Sequence, residues 1–259
     1  MTEHALKTER LTLGFGKRVV IDDLSLTLPP RRMTAILGPN GCGKSTLLRA
    51  LARLIAPLSG TVRLGEDDIN GMDTRRLARQ LAILPQAPRA PDGITVGDLV
   101  RRGRTPWRGL LAGWSREDAD ICAQALVAVG LETLADRPID QLSGGQRQRA
   151  WIALVLAQNT PLLLLDEPTT WLDLTHQLEV LALLRKRNLT TGTSVITVLH
   201  DLNLAARYFD HLILLGPDRL VATGEPWDVL TETNLQAALG LDAMVVPDPV
   251  TATPMVVPR

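Results

Sequence analysis

Apolar residues fall into short runs separated by polar, Gly- and Pro-rich punctuation, and the period within the runs changes along the chain. Residues 10–13 and 19–28 read as strands around a turn at Gly14-Phe15-Gly16-Lys17, and Pro29-Pro30 closes this stretch. The run Met33-Thr34-Ala35-Ile36-Leu37 predicts a strand, and Leu47-Leu48-Arg49-Ala50-Leu51-Ala52 a helix. A further strand is predicted at 60–64 and a helix at 74–81, followed by Ile83-Leu84-Pro85-Gln86. Composition then shifts: residues 87–114 carry several Pro and Gly, two tryptophans and a cluster of arginines, and lead into helices predicted at 116–129 and 146–157. Four leucines, Leu162 to Leu165, predict a strand buried on both faces. Leu174, Leu178 and Leu181, four and three apart, predict a helix over 174–187. A β-branched strand follows at 194–199, then a hairpin of 212–215 and 219–223 around Gly216-Pro217-Asp218, and a helix over 226–239. The Pro/Val-rich tail from Met244 supports no element. Strands alternating with helices predict an α/β sheet with a helical insertion at about residues 88–157.

The 259 residues suffice for one sizeable α/β core with a smaller subdomain. Apolar residues are 45% but aromatics only 3%, so aliphatic packing must dominate. Lys+Arg and Asp+Glu are 28 each, so the chain lacks the positive excess that duplex binding calls for, and no nucleic-acid partner is expected. Two cysteines, Cys42 and Cys122, make no disulfide framework and suit a reducing compartment. The first residues lack the apolar core of a signal peptide. The longest apolar run, 150–157, is far below the roughly 18–20 residues of a membrane helix. The expectation is a soluble, cytoplasmic chain able to dock on a membrane component.

Residues Gly38-Pro39-Asn40-Gly41-Cys42-Gly43-Lys44-Ser45-Thr46 fit the phosphate-binding pattern G-x-x-x-x-G-K-[ST], between a predicted strand and a predicted helix. Glycines let the backbone curl with its N–H groups inward, beside a helix N-terminus, where phosphate oxygens bind. Lys44 adds a cation for the outer phosphates and Ser45 a hydroxyl for Mg²⁺. The chain is therefore expected to bind a nucleoside triphosphate. A second Gly-rich motif, Leu142-Ser143-Gly144-Gly145-Gln146, opens the helix predicted at 146–157 and offers another anion site. Two such sites far apart in one chain make sense if each completes a site on another copy. Asp166 ends the leucine strand, a rigid place from which a carboxylate can orient Mg²⁺ through water.

With these motifs in this order, the sequence resembles the ATP-binding-cassette (ABC) ATPases over nearly its whole length. The resemblance implies an α/β P-loop NTPase fold with a mainly parallel sheet core, an N-terminal antiparallel β subdomain and a helical signature subdomain. The core would span residues 1–87 and 158–259, and the helical subdomain 88–157. It implies ATP and Mg²⁺ as cofactors, with the metal held by Ser45, Gln86 and Asp166. Glu167 matches the general base that polarises the attacking water, and His200, before Asp201-Leu202-Asn203, the switch histidine at the γ-phosphate. Gln86 matches the glutamine that touches metal or water and reports to a membrane partner. Lys44 completes the catalytic set. Ser143, Gly144, Gly145 and Gln146 would act in trans on ATP held by a second copy, and Asp173 would cross the dimer interface. Trp171 departs from the small residue common at that position across the wider family. Phe15 falls where the family stacks an aromatic on adenine, although a simple core role is the other reading. His4, His176 and His211 lack motif support. Cys42 reads as a small loop residue and Cys122 as helix core.

The stretch Arg101-Arg102-Gly103-Arg104-Thr105-Pro106-Trp107-Arg108 reads either as a solvated face or as part of a docking surface for a membrane subunit. Within the family, Gly103-Arg104-Thr105-Pro106, Trp114-Ser115-Arg116-Glu117-Asp118, Glu167-Pro168-Thr169-Thr170-Trp171-Leu172-Asp173 and His200-Asp201-Leu202-Asn203 resemble the iron–siderophore and cobalamin importers. Asp248-Pro249-Val250 with Thr253-Pro254 is similar to the ferric-siderophore branch. The resemblance thus implies a homodimeric ATPase on the cytoplasmic side of the inner membrane. Its partners would be integral-membrane permease subunits and, indirectly, a periplasmic or lipoprotein substrate-binding protein. Cobalamin, haem or metal-ion cargo, and a soluble ABC ATPase without a transporter, are the alternatives.

Overall fold

The computed structural model describes residues 5–16, 18–109, 113–170, 172–217 and 219–259. The chain begins with strands β1 (Leu6–Phe15), β2 (Arg18–Leu28) and β3 (Met33–Leu37), helix α1 (Lys44–Leu51), and strands β4 (Ser59–Leu64) and β5 (Asp67–Asp68). Helix α2 (Thr74–Gln80) and β6 (Leu81–Leu84) precede α3 (Val96–Arg101), a 3₁₀ segment (Arg102–Trp107), α4 (Arg116–Ala128) and α5 (Gly144–Gln158). Next come β7 (Leu162–Asp166), α6 (Leu174–Thr191), β8 (Ser194–Val198), α7 (Leu202–Tyr208), β9 (His211–Leu215) and β10 (Leu220–Gly224). The last elements are α8 (Pro226–Val229), α9 (Glu232–Leu239), β11 (Ala243–Pro247) and β12 (Pro254–Pro258). Two compact units divide the chain: one up to Met72 together with Ser194–Arg259, the other Asp73–Thr193.

In the first unit β2, β1, β4 and β5 form an antiparallel sheet in that order. Leu6, Thr8, Leu11 and Leu13 of β1 are buried, and the alternation slips where Arg10 adopts a left-handed φ of 47°. Asp23 on β2 has a matching φ of 46°. The buried Thr8 hydroxyl bridges this irregularity, donating to Leu24 O and accepting from Leu26 N, so the interrupted ladder leaves those groups paired. Every residue of β3 is buried, and it lies parallel to both β8 and β9, the environment that an uninterrupted apolar run fits. Strand β10 adds antiparallel to β9.

Two parts of this unit differ from the sequence expectation. The helix expected over 226–239 is two helices, because Thr231 caps α9 through Asn234 N while the Asn234 amide donates back to Val229 O at the end of α8. The tail without an expected element is the β11–β12 hairpin, paired from Ala243↔Pro258 to Pro247↔Pro254.

In the second unit β6 and β7 pair in parallel, and α3, α4 and the 3₁₀ segment pack on α5. Gly103 meets α5 so closely that a Cβ there would stand 2.4 Å from Leu154 O. That approach delivers Arg104 into the interior, where Nε donates to Asp118 Oδ1 (2.8 Å) and a terminal nitrogen to Ala157 O (3.0 Å). Asp118 also closes a capping box with Ser115 at the start of α4. Burial pushes its carboxyl up, but Arg104 and Ser115 outweigh this and hold it below the usual range. The neighbouring arginines use tryptophan faces. Arg79 and Arg104 lie over Trp107, and Arg101 and Arg108 over Trp114, at 5.4–5.6 Å from the ring centres. Within the arginine-rich stretch Arg104 is thus buried, while Arg101 and Arg102 are exposed and each tryptophan remains 38% exposed.

Removing one partner of a buried ion pair strands the other charge and costs about 3–5 kcal/mol. Arg104→Ala is expected to lower the urea midpoint accordingly. Because the folded pKa of Asp118 is depressed, the wild-type contribution is present above the unfolded value near 3.9 and lost as pH falls through the folded value. A midpoint shift under about 1 kcal/mol at pH 7 would contradict this role.

Candidate nucleotide site

Strand β3 stops at Leu37 and the chain turns into α1 through Gly38, Gly41 and Gly43, all with positive φ (148°, 81° and 100°). A Cβ at Gly38 would lie 2.5 Å from Leu215 O and 2.8 Å from Cys42 Sγ, so no larger residue fits without opening the loop. Gly43 packs on Val20 and Ile21 of β2. As N-cap of α1, Gly43 has no side chain to offer, so the first N–H groups of the helix receive no side-chain cap. Lys44 is buried, and its ammonium donates to the loop's own carbonyls, Gly38 O (2.9 Å) and Pro39 O (2.8 Å). Uncapped amides, a dipole end and a buried cation converge on one place, the requirements for a phosphate chain. Pro39, Asn40, Ser45 and Thr46 complete the turn and its first helical residues. Burial pushes the Cys42 thiol up, against the opposing pull of Lys44.

The same unit brings His200 to the same sheet edge. Ile36 pairs with Val198 and Leu199 N donates to Ile36 O, so β8 ends level with β3 and exposed His200 stands just past it. Asp201 then caps α7 through Leu204 N. Phe15 lies at the β1–β2 turn, opposite Arg18, and is 57% exposed.

In the second unit Leu84 pairs with Leu165, which carries Gln86 and Asp166-Glu167 to one edge of the β6–β7 pair. Asp166 is buried at the strand end, and Gln86 is exposed. Glu167 holds a left-handed φ of 52°, a conformation costing about 1–2 kcal/mol in a residue with a side chain. Its Oε2 accepts from the Thr170 hydroxyl at 3.1 Å. Sequence reasoning passed over Gln148, whose buried amide donates to Pro168 O and ties the turn after Glu167 to α5. A lone uncharged polar residue between Arg147 and Arg149 was its only signal.

Helix α5 begins at Gly144, with Ser143 as N-cap. The Ser143 hydroxyl accepts from Gln146 N and the Gln146 side chain accepts from Ser143 N. A Cβ at Gly144 would meet nothing within 4 Å, so the helix end is open, and the serine proton remains available to donate. Asp173 caps α6 through His176 N and also meets the His176 ring at 2.8 Å. These hydrogen bonds hold its carboxyl below the usual range. Trp171 lies outside the described residues.

The family model described as "ABC transporter" matches residues 21–170. The chain is 50% identical over 255 residues to the "Probable siderophore transport system ATP-binding protein" YusV of Bacillus subtilis, covering 98% of this chain and 93% of that protein. It is 48% identical over 260 residues to the "Ferric enterobactin transport ATP-binding protein" FepC of Escherichia coli, covering 100% and 96%. Among solved structures, the dimeric structure of a bacterial ABC transporter cassette superposes with a TM-score of 0.77 at 28% identity, over 85% of this chain and 98% of that one.

The loop geometry separates two glycines. Gly38→Ala places a methyl against backbone, whereas Gly41→Ala meets open space and suffers only its positive φ. Gly38→Ala is expected to weaken ATP binding at least about tenfold, ~1.4 kcal/mol, and clearly more than Gly41→Ala. Equal losses in a fluorescent-nucleotide titration would contradict the packing assigned to Gly38.

Proposed function

The chain belongs to the ABC transporter family, and on that premise we propose that it is the ATP-hydrolysing subunit that energises import of an iron–siderophore complex. The observation that carries the ATP reading is the buried Lys44 ammonium, held by two neutral carbonyls of its own loop beside a helix end without a side-chain cap. An entering phosphate takes over that charge and those amides. Siderophore cargo is supported by the names of relatives sharing about half their residues with this chain over nearly its whole length.

In this reading the triphosphate lies along the residue 38–46 loop with Lys44 on its outer phosphates, and adenine stacks on Phe15. Ser45, Gln86 and Asp166 supply hard oxygen donors of the type Mg²⁺ prefers, and the ion when bound screens the phosphate charge. Glu167 accepts a proton from the attacking water, and His200 donates a hydrogen bond to the γ-phosphate. Little covalent chemistry is required of the protein, so positioning and charge stabilisation carry most of the rate. The Ser143 hydroxyl and the amides of Gly144, Gly145 and Gln146 serve ATP held by the second copy of a homodimer, with Asp173 at the interface. Closure assembles the site and hydrolysis opens it. The movement passes through the Gln86 region, with the exposed edges of Trp107 and Trp114 as part of the docking face, to permease subunits in the membrane.

No helix among the described residues is long and apolar enough to cross a membrane. We assign the chain to the cytoplasmic face of the inner membrane, with a substrate-binding protein delivering cargo on the other side.

Glu167→Gln keeps the shape and removes the base. ATP binding is expected to persist while turnover falls about 10²–10⁴-fold; near-normal hydrolysis would remove Glu167 from this role. For the cargo, a strain lacking the subunit is expected to lose uptake of radiolabelled ferric siderophore. Unchanged siderophore uptake with loss of haem or cobalamin uptake would overturn the cargo and leave the ATPase standing.

A further inference from the structure

The tail hairpin packs on the helix that follows His200 and also grips it through side-chain hydrogen bonds. Asn203, in the first turn of α7, pairs with the backbone of Val256 in both directions: its amide donates to Val256 O (3.2 Å) and its oxygen accepts from Val256 N (2.7 Å). One turn later on the same face, Arg207 donates from Nε and a terminal nitrogen to Asp248 Oδ2, at 2.8 and 2.6 Å. Asp248 is itself fixed. Its other oxygen accepts from Val250 N and Thr251 N, and its backbone N–H donates to Thr253 O. The Val250 and Thr251 amides with Arg207 overcome the opposing push of burial and hold this carboxyl down at about 2, so it is charged at any working pH. On its other side α7 buries Leu204, Ala205 and Ala206 and packs on β3, the strand that feeds the phosphate loop. The helix is therefore held between β3 and β12, and its first turn begins directly after His200-Asp201.

We propose that the C-terminal hairpin is a positioning element for hydrolysis: through Asn203 and the Arg207–Asp248 pair it fixes the start of α7 and thereby the place of His200. Asn203, Arg207 and Asp248 touch no reacting atom in this scheme. They act on turnover through His200 and leave nucleotide binding, which resides in the residue 38–46 loop, unchanged. The proposal rests on the reading of His200 as the γ-phosphate contact.

The test is a cycle of full-length variants assayed for ATP hydrolysis: wild type, Arg207→Ala, His200→Ala and both together, with Asn203→Ala as an independent break of the clamp and Arg207→Lys as the conservative variant. Arg207→Ala and Asn203→Ala are expected to lower kcat about tenfold, below the ~10² that a misplacement of about 1 Å costs, with KM for ATP within about twofold. Arg207→Lys keeps the charge pair and should recover most of the loss. In the His200→Ala background, Arg207→Ala should lower the residual kcat no further, because the group it positions is gone. If Arg207→Ala lowers kcat by the same factor in both backgrounds, the hairpin is merely structural and the proposal falls while the role of His200 stands. If His200→Ala itself leaves kcat unchanged, the reading of His200 falls first and the positioning role with it. If Arg207→Ala unfolds, shown by loss of its thermal transition, Asn203→Ala takes its place in the cycle, because it leaves the Arg207–Asp248 pair intact.

Discussion

A helix that starts on glycine, with no side-chain cap and a buried lysine at its first residue, is incomplete until something negative sits on it. That is the condition of α1, where Gly43 supplies only backbone and the Lys44 ammonium borrows carbonyls from Gly38 and Pro39. Much of the first unit serves to hold this unfinished end in place. Strand β3 is buried along its length so that it delivers Gly38 rigidly, β2 packs Val20 and Ile21 on Gly43, and β8 ends level with β3 to present His200. Glycine is required at position 38 because Leu215 O and Cys42 Sγ occupy the space a side chain would need.

The second helix end is built on the opposite principle. At α5 the Ser143–Gln146 capping box satisfies two groups within the chain, and the end lies open with Gly144 uncrowded. A self-satisfied, exposed end is stable without ligand and can wait for one brought by another molecule. The contrast suits the proposed homodimer, in which the end without a side-chain cap would hold ATP and the self-capped end would complete the site of the other copy.

The phosphate loop, the signature helix start and the strand ends carrying Asp166 and His200 were legible because each depends on local pattern: glycines at fixed spacing, or a polar residue closing an apolar run. What stayed hidden depends on partners distant in sequence. Nothing near Arg104 says that its partner is Asp118, or that Trp107 and Trp114 are covered by guanidinium groups. Those arginines therefore read as a solvated or docking face. The tail gave no pattern because its strands pair with each other and its side-chain ties to α7, Asn203 on Val256 and Arg207 on Asp248, join residues distant in sequence. Four of the stretches that resemble the iron–siderophore and cobalamin importers or their ferric-siderophore branch acquire physical content in this way, as two pairs. Gly103-Arg104 meets Asp118 of the other stretch, and His200-Asp201-Leu202-Asn203 meets the tail that begins at Asp248. Each pair of marks is two ends of one contact.

The head-to-tail arrangement of two copies is the claim on which the mechanism turns. It is tested by a chain with Cys42 and Cys122 replaced by serine and cysteines placed at Asn40 and Ser143, incubated with ATP under mild oxidation. The account expects an ATP-dependent disulfide between two chains joining position 40 of one to position 143 of the other. Only intramolecular products, at every protein concentration and with or without ATP, would contradict it.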